Sequence, residues 1–175
     1  MIKIFVSLLL FTGVAINPGW TETTVSHCTS NETILFSCVL KNQKIVSLCS
    51  TQKSPEDSGY IQYRFGANRR IELLIPKKRA GIPDLALVHN KTKYLEYNKV
   101  AIINEPFTYN IESFRQFKKT NPDGYPNTKS SDTLTIEDSR KSVWEGNKIY
   151  RSECATLENP VDAEAISELT GIDLE

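Results

Sequence analysis

Residues 60–75 leave the chain little choice of local structure. Tyr60 through Phe65 alternate in character, Gly66, Ala67 and Asn68 supply a turn, and Arg70 through Ile75 return before Pro76. A period of two marks strands with one buried face, and turn formers between two such runs mark a hairpin. Placing Phe65 opposite Ile71 aligns Tyr63 with Leu73 and Ile61 with Ile75 on one apolar face. The same register sets Arg64 opposite Glu72 on the other face, a cross-strand pair contributing about 0.2–1 kcal/mol.

The same style continues along the chain. Thr33 to Leu40 and Lys44 to Cys49 are β-prone runs around the short polar loop Lys41, Asn42, Gln43. Tyr94 to Ile103 and Phe107 to Phe114 flank the turn residues Asn104, Glu105 and Pro106. Residues 121–131 are dense in turn formers and read as a loop. Thr133 to Glu137 is a strand, and Ser142 to Trp144 and Lys148 to Cys154 form a last hairpin around Glu145, Gly146 and Asn147. The expectation is a mainly β fold, an antiparallel β-sandwich or small barrel of about seven to eight strands. At 175 residues the chain makes one domain with a core of useful size.

The first residues carry an address. Lys3 precedes the apolar run Ile4 to Phe11, and Gly13 and Ala15 place small residues three and one positions before a cut. That is the layout of a secretory signal peptide over residues 1–15, with cleavage as late as about residue 22. About 12 apolar positions are too few to span about 30 Å of hydrocarbon as an anchor. No cysteine sits just after the run to accept a lipid. Removal of residues 1–15 leaves 20 basic and 21 acidic residues, so the exported body, residues 16–154 plus a tail, is close to neutral.

An even count of cysteines in an exported chain points to disulfides, and Cys28, Cys38, Cys49 and Cys154 allow three pairings. Their spacing fits no standard zinc pattern. If Leu40 lies opposite Lys44, Cys38 and Cys49 point to opposite faces and cannot pair. A one-residue slip brings them together. Whichever cysteine joins Cys154 ties the end of the domain to its beginning, and a loop of about 100 residues closed so contributes about 4–5 kcal/mol. Residues 155–175 hold six acids and no Lys or Arg. Pro160 opens a short helix over Val161 to Leu169 with Gly171 ending it, so this C-terminal segment is an acidic helix or tail packed by Val161, Ile166 and Leu169.

Phe36-Ser37-Cys38, Val46 to Ser50, Tyr60 to Gly66 and the final Glu145-Gly146-Asn147 hairpin into Cys154 resemble a family of uncharacterised small exported proteins of Gram-negative bacteria. The resemblance covers most of residues 28–154. It implies a periplasmic or secreted β protein and transfers no catalytic residue. The acidic extension past Cys154 lies outside it, and the sequons at Asn31 and Asn90 are accidental in a bacterial setting.

Signals for chemistry are sparse. Equal numbers of basic and acidic residues, 21 of each, argue against a nucleic-acid binder. His27 and His89 stand in no metal-binding pattern, and the chain has no GxSxG, no phosphate-binding loop and no dinucleotide fingerprint. Neighbouring carboxylates such as Glu137 and Asp138 face opposite ways on a strand. No metal, cofactor or catalytic residue is indicated, and a hydrolase using His89 is the remaining enzymatic alternative. The prominent surface feature is basic: Arg64, Arg69, Arg70, Lys77, Lys78 and Arg79, with Glu72 the only acid among them. Arg69 and Arg70 sit at a turn and Lys77, Lys78 and Arg79 follow the strand, so the two groups stand about 20 Å apart. They serve as a solvated rim, as a docking surface, or as a seat for the acidic tail. The reading is an exported, disulfide-stabilised β protein that binds and does not catalyse. It acts as a periplasmic inhibitor or immunity protein against an enzyme or toxin, or alternatively as an envelope accessory protein holding an anionic polymer or exported partner.

Overall fold

The computed structural model describes residues 25–117, 128–140 and 148–175. The signal segment, residues 121–127 of the expected loop and residues 141–147 of the expected last hairpin lie outside these. Among the described residues there are nine strands: β1 (Thr33–Leu40), β2 (Ile45–Ser50), β3 (Ile61–Ala67), β4 (Arg70–Ile75), β5 (Asp84–Lys91), β6 (Leu95–Asn104), β7 (Phe107–Phe117), β8 (Thr128–Asp138) and β9 (Lys148–Asn159). One helix follows, α1 (Ala163–Thr170). All strands pair antiparallel in a single sheet ordered β4-β3-β2-β1-β9-β8-β7-β6-β5.

The protein is thus mainly β with a short C-terminal helix, and its sheet curls into a half-barrel. The curl is visible in one contact. Tyr63 on β3 and Tyr109 on β7 are five strands apart in the sheet, about 24 Å if it were flat, yet their ring centroids lie 5.3 Å apart. Rolling the sheet buries one face on itself. Phe36, Cys38, Leu48, Ile61 and Tyr63 from one limb meet Leu87, Val100, Ile111 and Leu134 from the other.

The half-barrel is closed at the side by the C-terminal segment. Asp162 caps α1 by accepting from the Ala165 amide at 3.0 Å, two residues later than the expected start at Pro160. Gly171 ends it at φ 71°, the left-handed position that suits glycine. Val161, Ala163 and Ile166 are in the core, and α1 packs on β5 and β6. Leu174 then bridges to Leu87, and the Glu175 amide donates to the Leu87 carbonyl at 2.9 Å. The chain's own end therefore occupies the β5 edge of the sheet.

Register decides one open question and corrects one expectation. In the β1–β2 hairpin, Cys38 pairs with Val46, and the loop Lys41, Asn42, Gln43 closes with Gln43 at φ 65°. This is the three-residue loop that ends in a left-handed residue, and it puts Cys38 and Cys49 on opposite faces. In the β3–β4 hairpin the expected alignment fails: Phe65 faces Leu73, Tyr63 faces Ile75 and Arg64 faces Leu74. A bulge between Phe65 and Gly66 on β3 absorbs Glu72 as the extra residue of β4. Gly66 is required there, because a Cβ would stand 2.1 Å from the Arg70 carbonyl oxygen. The Arg64–Glu72 pair does not form. Elsewhere, Thr128 to Ser131 belong to β8 and not to a loop, and β9 continues to Asn159. β5 is a full strand where only its end near His89 carries a clear signal.

Candidate functional site

The disulfides settle the pairing left open by spacing: Cys28 joins Cys49, and Cys38 joins Cys154. The first anchors residues 25–32 across the outer face of β1–β3. There Ser37, Ser47 and Arg64 form one cross-strand row. The Ser37 hydroxyl donates to the Val25 carbonyl at 2.7 Å, and the His27 amide donates to Ser47 Oγ at 3.0 Å. Arg64 Nη1 donates to the His27 carbonyl at 2.7 Å and to Glu32 Oε2 at 2.8 Å, while Nη2 reaches Glu32 Oε1 at 2.5 Å. Both side chains are 1% exposed. Burial pushes the Glu32 carboxyl up, but the Arg64 guanidinium, the Thr29 amide and the Tyr60 and Thr29 hydroxyls outweigh it and hold the pKa at about 2. Arg64 therefore leaves the surface cluster to which its position in the sequence assigns it.

The remaining cations divide as expected between the two ends of β4. Arg69 occupies the β3–β4 turn at φ 63°, and Arg70 opens β4. Lys77, Lys78 and Arg79 follow Ile75 and are exposed, apart from the part-buried approach at Pro76. A six-residue strand separates the groups by about 20 Å. Glu72 is the only acid between them, and it is committed: Lys44 Nζ lies 2.6 Å and Arg70 Nη2 3.1 Å from its oxygens. Those hydrogen bonds, from Lys44 first, hold its carboxyl below the usual range. Lys44 also sits 5.0 Å over the Phe65 ring. Along β4 a shallow cleft of about 230 Å³ is lined by Ile71, Glu72, Leu73, Leu74 and Lys77.

A second polar region lies at the mouth of the half-barrel. Two apolar rows cross β5–β8 on the inner face, Leu85–Ile102–Tyr109–Ile136 and Leu87–Val100–Ile111–Leu134. The next two are polar: His89–Asn98–Ser113–Asp132 and Lys91–Glu96–Arg115–Ser130. Arg115 is held by Asp132 at 2.9 Å and 3.3 Å. A cleft of about 190 Å³ opens among Glu96, Asn98, Ser113, Arg115 and residues 160–162. His89 Nδ1 is 2.8 Å from Asn98 Oδ1, which also accepts from the Ala163 amide at 3.2 Å, and its Nε2 lies 3.9 Å from Glu164. Asn98 stands between His89 and Ser113, so hydroxyl and imidazole are two strands, about 10 Å, apart. His89 here ties the helix to the sheet. The alternation Glu96, Asn98, Val100, Ile102 carries the signal for this mouth: one strand face turns from polar to apolar along its length.

A broad surface hollow of about 570 Å³ is lined by Lys41, Asn42, Tyr150 and Glu153. Among the described residues no group of three or more His, Cys, Asp or Glu side chains could hold a metal ion. No helix among them is long and apolar enough to cross a membrane. Among the described residues no ion pair joins the acidic C-terminal segment to the basic turns. Its Glu164 carboxylate lies instead 3.9 Å from His89 Nε2. No family model, curated protein or solved structure matches the chain.

Proposed function

We propose that the protein is an exported, non-enzymatic binding protein that docks an acidic protein partner, as an inhibitor or immunity protein of the periplasm or the secreted space. The observation that carries this reading is the placement of Arg69, Arg70, Lys77, Lys78 and Arg79 at the two ends of an exposed strand on a disulfide-tied sheet. Two disulfides suit an oxidising compartment, as does a place in the exported Gram-negative family the sequence resembles. A rigid scaffold loses little conformational entropy on docking, which favours tight binding by a small surface. Separated cations attract an acidic partner and orient it.

Affinity capture of the tagged protein from envelope extract, washed with increasing salt, tests the reading. A single stoichiometric enzyme or toxin retained at high salt supports it. Retention of an anionic polymer, lost as salt rises, replaces it with the envelope accessory role, which rests on the same five cations. Capture unchanged when Lys77, Lys78 and Arg79 are each replaced by Glu removes the basic turns from the site.

A further inference from the structure

Resting on that docking role, we propose that β4 binds by strand addition. An extended, acidic-ended segment of the partner pairs with the open edge of β4, its terminal carboxylates meeting Arg69 and Arg70 at one end and Lys77, Lys78 and Arg79 at the other.

Among the described residues β4 is the last strand of the sheet and pairs with β3 alone. Its outward amides and carbonyls are a template for another strand. The opposite edge differs, because Leu174 and Glu175 already pair along β5. Arg70, Ile71 and Glu72 are exposed, Ile71 at 40%, and the cleft along Ile71, Leu73 and Leu74 gives alternate side chains of an added strand an apolar seat.

Charge selects the occupant. Antiparallel pairing of two copies through β4 would lay Arg69 and Arg70 of one beside Lys77, Lys78 and Arg79 of the other, at both ends. Like charges so juxtaposed disfavour the homodimer. The chain's own acidic end is held at β5. What fits is a foreign segment of about six to eight residues, because its carboxylates must reach cations about 20 Å apart while its backbone stays extended.

The probe is the peptide acetyl-Glu-Glu-Val-Thr-Val-Thr-Glu-Glu-amide, compared with the same peptide N-methylated at its four central residues and with polyglutamate. The full chain is used at low salt, with amide hydrogen exchange alongside binding. Strand addition predicts that the plain peptide slows exchange within residues 70–75 and that methylation weakens binding at least tenfold, charge being unchanged. The Lys77→Glu, Lys78→Glu, Arg79→Glu variant should also lose about tenfold. Equal binding of all three acidic probes without protection of β4 overturns strand addition and leaves the basic turns as a charge-only site. No binding by any of them overturns both. A concentration-dependent dimer that protects β4 without peptide shows that a second copy is the occupant and overturns the proposal.

Discussion

Arg64 and Glu32 are each 1% exposed and 2.5 Å apart, with the guanidinium also bonded to Gln62 at 2.9 Å and to the His27 carbonyl. Burying two charges is tolerable because all three guanidinium nitrogens and both carboxylate oxygens are hydrogen-bonded. Removing one partner strands the other as an uncompensated charge in a buried site. Arg64→Leu should therefore cost about 3–5 kcal/mol in urea unfolding, and adding Glu32→Gln should restore part of that loss. Acid makes the same point without mutation. Glu32 titrates at about 2 when folded against an ordinary value of 4.5. A folded pKa below the unfolded one means its stabilisation is complete above about pH 4.5 and disappears as pH falls towards 2. The amount is on the order of 3 kcal/mol. Urea midpoints measured from pH 6 to 2 should fall less steeply in Glu32→Gln than in the parent. A parallel fall in both would show that Glu32 carries none of the acid sensitivity.

Between residue and sheet, the hairpins show which features of an element a sequence can express. The Lys41–Gln43 loop holds the β1–β2 register with Gln43 in the left-handed region, a backbone detail that the sequence of residues 33–50 leaves open against a one-residue slip. The β3–β4 register is not readable either. The bulge sets Ile71 opposite Gly66 and Leu73 opposite Phe65, so β4 changes face at Glu72, and nothing in the alternation of the sequence marks that point. The burial of Arg64 is hidden for a different reason: its counter-ion Glu32 lies on a segment brought over the sheet by Cys28–Cys49, a pairing that spacing alone leaves open. Helix α1 was legible from Gly171 and the apolar positions Val161 and Ile166, with the cap two residues beyond Pro160. Of the polar mouth only β6 carries a signal, in the turn from Glu96 and Asn98 to Val100 and Ile102, and the rest exists only once four strands are aligned. Gly66→Ala tests the bulge. With backbone 2.1 Å away on the facing strand, no side chain can yield. The substitution should cost about 1–3 kcal/mol and reduce exchange protection along β3 and β4 while sparing β6–β8. An unchanged β4 protection pattern would show that the bulge tolerates a Cβ.

At the scale of the molecule, the sheet has one seam. Strands β1–β4 form one limb and β5–β9 the other, and the ladder between them is β1–β9 alone. That ladder is irregular, with register shifts at Ser37/Cys38 and Val39/Leu40. Cys38–Cys154 lies on it and spans 116 residues, whereas Cys28–Cys49 spans 21 and holds the covering segment within a single limb. Chain entropy then ranks the two bonds, at about 5 kcal/mol for the long loop and about 3 kcal/mol for the short one. Their local effects differ as well. Replacing Cys28 and Cys49 by Ala should loosen residues 25–32 and with them the Glu32–Arg64 pair, leaving the curl intact. Replacing Cys38 and Cys154 by Ala removes the tie across the seam, so protection should drop along β1 and β9 together and the Tyr63–Tyr109 contact between the limbs should weaken. Denaturant unfolding with hydrogen exchange on both double variants checks the order. A larger loss from the short bond would mean that the covering of Arg64, and not the closure of the half-barrel, dominates stability. The docking edge depends on the same hierarchy, because β4 is fixed through β3 to the limb that the seam holds in place.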